Sequence, residues 1–330
     1  MITRTVAALD VPPFSDRAGI AAMERTAAAY DAAMAERPEI ISIERGGTSS
    51  AAAPLAFPFT VAAWNLERCL FPPESAIHLA ATGATVVLLS EMDNGMARTQ
   101  QRHPTAELAG ALGMSYAYGV EFIELDLGSE TERAFCRDDF NEKGFHGNAL
   151  MAAVPIEDPF MIRLWGERIW LINGGDQPRL GERFAIGAVV RTESGPFLAV
   201  STHLESATSA AYRERQVREL IDVLDAHFSG LPVLIGGDLN TGLQDDGNFE
   251  AEGLFAMSAA RGFDRHGSPL DVPTLRQSLI SAAPARPLKL DWFLSRGVRI
   301  GDSRITPSLD ATGRPLSDHD LITCVVDGFS

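Results

Sequence analysis

The sequence has no dense run of lysine or arginine, few cysteines and no long uncharged apolar stretch, and each gap removes a class of function. Lys and Arg number 28 against 44 Asp and Glu, a formal net charge of −16. A surface of that sign repels polyanions at long range, so nucleic-acid binding would need a local basic groove. No basic cluster in the sequence supplies one, which disfavours nucleic acid as a partner. Cys69, Cys136 and Cys324 are odd in number and widely spaced. They make neither a disulfide framework nor a zinc pattern and read as small apolar core side chains, in keeping with a reducing compartment. No segment approaches the roughly 18 apolar residues of a transmembrane segment. The opening "MITRTVAALDVPPFSDRAGI" lacks the apolar stretch of a secretory leader. These gaps lead to the expectation of a soluble, cytoplasmic protein and leave its oligomeric state open.

What is present is a large apolar fraction, 45% of 330 residues, enough for a substantial core. Residues 1–57 differ from the rest and read as an N-terminal extension. Asp16 is a candidate N-cap for one amphipathic helix in which Ile20, Met23, Ala27, Tyr30 and Met34 fall at helical spacing. Pro38 stops that helix, and "GGTSSAAAP" reads as a flexible connector. From 58 to 330 strand and helix patterns mix. "PFTVAAWNL", "TVVLLSEM", "YAYGVEFIEL", "GNALMAAVPI", "FAIGAVVRT", "PFLAVSTHL", "LPVLIGGDL", "LDWFLSRGVRI" and "LITCVVDG" read as strands. Helices are expected near 72–82, over 99–112 and over 209–228, the last with Val217, Leu220, Ile221 and Leu224 on one face. Without strict alternation, a mixed or antiparallel α/β arrangement is expected rather than a doubly wound parallel sheet.

The strands end in small polar groups: Asn65 after "TVAAW", Glu91 after "TVVLLS", His203 after "LAVST", Asp238 and Asn240 after "LPVLIGG". Asp291 lies inside the apolar "LKLDWFL", where a buried carboxylate needs a partner. Asp318 and His319 precede the last strand. Each has an ordinary structural reading: Gly-Gly-Asp is turn chemistry, Glu91 can cap a helix, and a lone histidine is commonly a satisfied core residue. Residues i and i+2 of an extended chain share a side, so Asp238 and Asn240 can equally face one site. Strand-end loops are where α/β proteins build such sites.

Taken in order, "WNL", "LLSEM", "HGNALMA", "STHLES", "GGDLN", "LDWFL" and "SDHDL" resemble the endonuclease/exonuclease/phosphatase superfamily over residues 58–330. The resemblance implies a four-layered α/β sandwich, two packed and mainly antiparallel mixed sheets flanked by helices. It implies hydrolysis of a phosphoester with a hard divalent cation, Mg²⁺ or else Mn²⁺ or Ca²⁺. By the same resemblance Glu91, Asn65 and Asp318 form the metal side. Asp238 orients or deprotonates water, and Asn240, Asn148 and His203 contact phosphate. His319 lies against the phosphate with its ring fixed by Asp291, as base or as electrostatic stabiliser, and Glu121 is the partner of His203.

The substrate is carried by loops that the sequence does not spell out. Arg133, Arg137 and Lys143 of the loop 128–145 approach substrate or form a solvated face. Arg68 reaches the site rim, and Trp165 and Trp170 in the segment 159–180 supply an aromatic wall or core packing. The Gly-Asn-Lys-Gly run typical of inositol polyphosphate enzymes is absent from "GNALMA". A small-molecule, nucleotide or lipid phosphodiesterase is therefore the expectation, with a DNA- or RNA-directed nuclease and a non-catalytic binding member as alternatives.

Overall fold

The structure is a computed structural model that describes residues 1–51, 53–175 and 177–330. Among the described residues, backbone pairing builds two sheets. The first runs Thr5–Val6, Ile43–Gly47, Ser115–Glu124, Phe145–Ala152, Ala84–Asn94, Phe59–Arg68, Leu321–Phe329 and Val298–Thr306, with Arg179–Gly181 alongside Ser115–Glu124. The second runs Asp264–His266, Asp291–Arg296, Val233–Asp238, Gly195–His203, Phe184–Thr192 and Glu157–Arg163. Parallel pairs join Thr5–Val6 to Ile43–Gly47, Phe59–Arg68 to Ala84–Asn94, and Gly195–His203 to Val233–Asp238. The other pairs are antiparallel. The stretch "LDWFLSRGVRI" is two strands in different sheets. The chain crosses over at Gly297, whose φ of 67° is a left-handed geometry that favours glycine.

Strand alternation sorts side chains into layers. Ala62, Trp64 and Leu66 face outward with Val87 and Leu89, where Ala76 and Leu79 of the helix Pro72–Thr82 and Leu108 of the helix Pro104–Leu112 cover them. On the far side the helix Ala210–His227 lays Val217, Leu220, Ile221 and Leu224 against Val200, Val233 and Ile235, as its apolar stripe requires, beside the helix Gly253–Ala260. Between the sheets lie Val61, Ala63, Val86, Leu88, Leu150, Ala199, Leu234 and Phe293. The result is the expected four-layered sandwich, helix on sheet on sheet on helix.

Residues 1–57 depart from the expected single helix and connector. Two helices form, Phe14–Ala22 and Ala27–Ala35, because Thr26 turns its hydroxyl back to accept from the Ala29 N–H at 3.3 Å and starts the second helix. Asp16 sits in the first turn, and Pro13 occupies the cap position. Ile20 and Tyr30 are buried in the outer core of the larger sheet. Gly46 and Gly47 of the expected connector end a strand paired with Ser115–Glu124, and the Ser50 and Ala51 N–H groups donate to Gly113 and Ala153. Ala52 of that connector, and Asp176 of the segment 159–180, lie outside the described residues.

Phe293 is fully buried between the sheets, two residues beyond Asp291. Phe293→Ala is expected to cost about 3–5 kcal/mol, read from urea unfolding. A loss below about 1 kcal/mol would show that this layer does not hold the sandwich together.

Candidate active site

The face that is apolar between the sheets turns polar at one end of the sandwich. Val61 and Ala63 lead by alternation to Asn65, Ala199 leads to His203, Leu234 to Asp238 and Leu150 back to Asn148. Register completes the cluster. His203 pairs with Asp238 in the parallel ladder, and Asp238 pairs with Asp291 in the antiparallel one. Gly237, at φ 146°, lets the strands close up, since a Cβ there would stand 2.0 Å from the Thr202 carbonyl oxygen. Glu91 breaks the alternation: a register shift and a φ of 56° bring its carboxylate round to this end.

The side chains meet in a continuous network. The Asn65 amide donates to Glu91 Oε1 at 3.2 Å and to Asp238 Oδ2 at 3.1 Å, while its carbonyl accepts from the Glu67 N–H at 3.0 Å. Only the amide nitrogen can sit between two carboxylates, so this orientation is set by charge. His319 Nδ1 lies 2.8 Å from Asp291 Oδ2, and its Nε2 is 3.6 Å from Asp238 Oδ2 and 3.9 Å from Asp318 Oδ1. His203 Nε2 is 3.5 Å from Asp238 Oδ2 and 4.0 Å from Glu91 Oε1. The Asn240 N–H donates to Asp238 Oδ1 at 2.8 Å, and its side-chain amide donates to the Leu204 carbonyl. The loop bearing Asp318 and His319 is docked by two bonds: Ser317 Oγ donates to the Asn65 main-chain carbonyl, and Trp64 Nε1 donates to the His319 main-chain carbonyl.

Burial and charge divide the titrating groups. Burial, with Asp291 adding to it and His319 opposing, pushes Asp238 up to about 6. Burial alone would lower His319, yet Asp291, Asp238 and Asp318 hold it well above the ordinary histidine value, which favours the imidazolium. Glu91, pushed up by burial, is brought well below the usual carboxylate range by Arg68 first and then by the histidines. Burial raises Asp318 well above that range, with Glu67 and Glu91 adding to it.

A family-wide sequence profile described as "Endonuclease/Exonuclease/phosphatase family" matches residues 62–319, which include every strand-end residue just described. The chain belongs to the endonuclease/exonuclease/phosphatase family. Its members are phosphoester-hydrolysing enzymes that depend on divalent metal, and the chain is a phosphoester hydrolase. No curated protein matches it in sequence. Solved structures share the fold. An endonuclease/exonuclease/phosphatase from Beutenbergia cavernae is 19% identical, with a TM-score of 0.59 over 83% of this chain and 72% of that one. The human Nocturnin catalytic domain with bound sulfate anion is 16% identical, with a TM-score of 0.56 over 87% and 97%. D. rerio TDP2 complexed with single strand DNA product is 16% identical, with a TM-score of 0.54 over 82% and 99%.

The donor chemistry of this family member fits a hard cation. Glu67, Glu91 and Asp318 crowd one another, and Glu91 and Asp318 each keep 19% of the side chain open to solvent. Asp238, Asp291 and His319 also bring ligand atoms within 4.8 Å of one another, but there His319 Nδ1 is engaged by Asp291. Asn65, expected on the metal side, lies against Glu91 and bridges it to Asp238, with its side-chain oxygen accepting from the Glu67 N–H. Asn148 lies at the same end, fully buried, with its amide donating to the Phe184 carbonyl at 3.3 Å and its own oxygen without a partner among the described residues.

Other expectations are reassigned. Arg133 pairs with Asp126, and Lys143 packs on Gly95, so neither belongs to the site cluster. Trp165 is covered by Arg215 and Tyr212, and Trp170 by Arg179 and Arg183, so of the two readings, aromatic wall or packing, these rings are engaged in internal packing. Arg68 lies buried on Glu91 and Glu132 instead of at the rim. Arg183, Glu205 and the role of Glu67 were not anticipated. The signals were faint: a charged Glu-Arg pair just before "FAIGAVV", and Glu205 two residues after His203.

Glu67, Arg68 and Cys69 follow one another at φ 42°, 80° and 56°. Such geometry costs roughly 1–3 kcal/mol per non-glycine residue and gives Glu67 and Arg68 separate sets of partners. Glu67 then accepts from Ser278 Oγ, from the Leu279 and Ile280 N–H groups at 2.8 and 3.3 Å, and from the Asp318 N–H at 2.9 Å. One carboxylate thus clasps the 278–280 segment to the loop of Asp318. In Glu67→Ala, hydrogen exchange at the Leu279, Ile280 and Asp318 amides is expected to quicken by about tenfold or more. Unchanged exchange would show that other contacts hold both segments.

Proposed function

We propose that this chain is a metal-dependent phosphodiesterase acting on a small-molecule, nucleotide or lipid phosphoester by attack of water on phosphorus. The observation that carries the reading is the single network linking Glu91, Asn65, Asp238, His203, His319 and Asp291 at one end of the sandwich. Asp238 is the group that orients the water and takes its proton, being ionised above about pH 6 and aligned by Asn65 and Asn240. His319, held by Asp291, is a fixed positive donor for a phosphoryl oxygen, offsetting charge that builds in the transition state. His203, Asn148 and Asn240 supply further polar contacts to phosphate. Glu91 and Asp318 would hold the cation, Mg²⁺ with Mn²⁺ or Ca²⁺ as substitutes. When bound, the cation neutralises phosphoryl oxygen charge.

The low exposure of the reacting side chains favours a slender substrate. Glu91 and Asp318 are 19% exposed, whereas the side chains of Asp238, Asp291, His203 and His319 are exposed by 6% or less. A terminal or small phosphoester reaches side chains so covered more readily than the backbone of a duplex, and the −16 net charge acts in the same direction. The fold likeness to TDP2 complexed with single strand DNA product supports single-stranded nucleic acid as the second reading.

Asp238→Asn and His319→Ala are each expected to lower kcat on an aryl phosphodiester by about 10²–10⁴-fold with unchanged circular dichroism, and EDTA is expected to abolish turnover until Mg²⁺ or Mn²⁺ is restored. Wild type that stays inert across a broad phosphoester panel with each metal would sink the reading. Cleavage of single-stranded oligonucleotides alone would select the nuclease.

The pH profile has a set sign. Protonation of Asp238 removes the base, so kcat/KM should fall as pH drops through about 6. The carboxylates around His319 shift its titration upward, so the alkaline decline should lie above the ordinary histidine range. Stopped assays at saturating metal check both limbs, and a rate that rises on acidification contradicts the assignment of Asp238.

A further inference from the structure

A cavity of about 430 Å³ lies between the N-terminal extension and the sandwich, and none of the strand-end residues lines it. Tyr30, Met34 and Ile40 form one wall, and Leu164, Gly166 and Glu182 form the other. The first wall comes from the helix Ala27–Ala35 and the turn after it, outside the 62–319 span of the family profile. Four charged side chains reach the cavity, and three of them are spent. Arg168 donates through Nε and Nη2 to the two oxygens of Asp31, both at 2.9 Å. Arg163 donates to the main-chain carbonyls of Ile40 and Val120 at 2.6 Å and of Glu182 at 3.1 Å, with its guanidinium over the Phe184 ring at 5.0 Å.

Glu182 is the fourth, and it is 8% exposed. Its Oε1 accepts from the Arg168 main-chain N–H at 2.5 Å. Its Oε2 accepts from no donor, and no cationic side chain pairs with the carboxylate, among the described residues. Gly166 makes room for that oxygen, since a Cβ there would stand 2.2 Å from Oε2. Burial pushes Glu182 up to about 7, as a carboxylate short of partners requires. A buried carboxylate with an unfilled oxygen is costly until a cation or donor answers it. We propose that this cavity is a second binding site, for a small organic ammonium ion, with the charged nitrogen on Glu182 Oε2 and the apolar body against Tyr30, Met34, Ile40 and Leu164. A divalent metal ion is the poorer occupant, because it asks for several oxygen ligands and one carboxylate among apolar walls does not supply them. An anion is poorer still, because Asp31 and main-chain carbonyls already hold the two guanidinium groups. The site stands apart from the phosphoester reaction and does not rest on the function proposed above.

The test is a titration of the full chain with n-hexylammonium chloride above the Glu182 value of about 7, read in ¹H–¹³C methyl spectra. The Met34, Ile40 and Leu164 methyls report from the cavity walls. Wild type is expected to show saturable shifts at these methyls, with hexanol binding about tenfold more weakly or worse and hexanoate not at all. Glu182→Gln keeps the side-chain size and removes the charge, so hexylammonium affinity should fall by about tenfold or more while hexanol affinity is unchanged. Wild type without saturable shifts overturns the proposal, as does equal affinity for hexanol or an unchanged affinity in Glu182→Gln. Should Glu182→Gln fail to fold, Ala35→Trp at an exposed position on the wall is expected to fill the cavity and abolish the shifts. Hexylammonium binding that survives in Ala35→Trp places the ligand elsewhere and overturns the assignment. The readout needs no turnover, so an inert enzyme that binds hexylammonium would sink the proposed function and leave this site standing.

Discussion

The ladder that sets Asp238 between His203 on one neighbouring strand and Asp291 on the other is the constraint on which the site depends. Three polar side chains at matched register are forced onto the face that, a few residues earlier, packs Ala199, Leu234 and Phe293 between the sheets. A slip of one residue in either pairing would turn one of them to the opposite face. The apolar layer therefore does more than stabilise the sandwich: its alternation aims the chemistry. Gly237 serves the same end by letting the strand backbones approach where a side chain could not fit.

Charge is handled by enclosure. The site gathers Glu67, Glu91, Glu121, Asp238, Asp291 and Asp318 in low-exposure surroundings, which without compensation would drive several of them neutral. Arg68 and Arg183 supply that compensation from opposite flanks, the first on Glu91 and the second between Glu121 and Glu205. A second layer continues outward, with Arg98 held by Asp93, Glu124 and Glu132, and His146 on Asp93. Breaking such a network leaves a buried charge without its partner, which costs more than the pair contributes when intact. The Arg68 side of the site is consequently stiff, and the strain at residues 67–69 persists because contacts on both sides hold it.

Much of this was readable from residue order. Apolar runs ending in Asn, Glu, His or Asp marked strands with polar groups at their ends, and the helices expected near 72–82 and, from its apolar face, over 209–228 form as Pro72–Thr82 and Ala210–His227. The misreadings have physical causes. Thr26 competes with the backbone through its side chain and splits a helix that apolar spacing alone would continue. Other points lay beyond residue order. The tryptophans of the segment 159–180 were open to a ligand wall or to core packing, and neighbouring guanidinium groups cover them. The resemblance grouped Asn65 with the metal ligands, and only the two carboxylates flanking its amide show which way that amide faces.

The sequence by itself determined the identity and order of the polar groups at the strand ends, because side-chain chemistry is carried by residue type and strand alternation is local. It also determined a mixed α/β arrangement through apolar patterning, and the four layers through the likeness of its motifs to a known family. Only the tertiary structure decided that Arg183 stands between His203 and Glu121, that Glu67 clasps two loops, and that Arg68 lies on Glu91. Those contacts join residues 20 to more than 200 positions apart. Local periodicity carries no information across such distances, whereas a buried charge is answered by whichever partner the fold brings within reach.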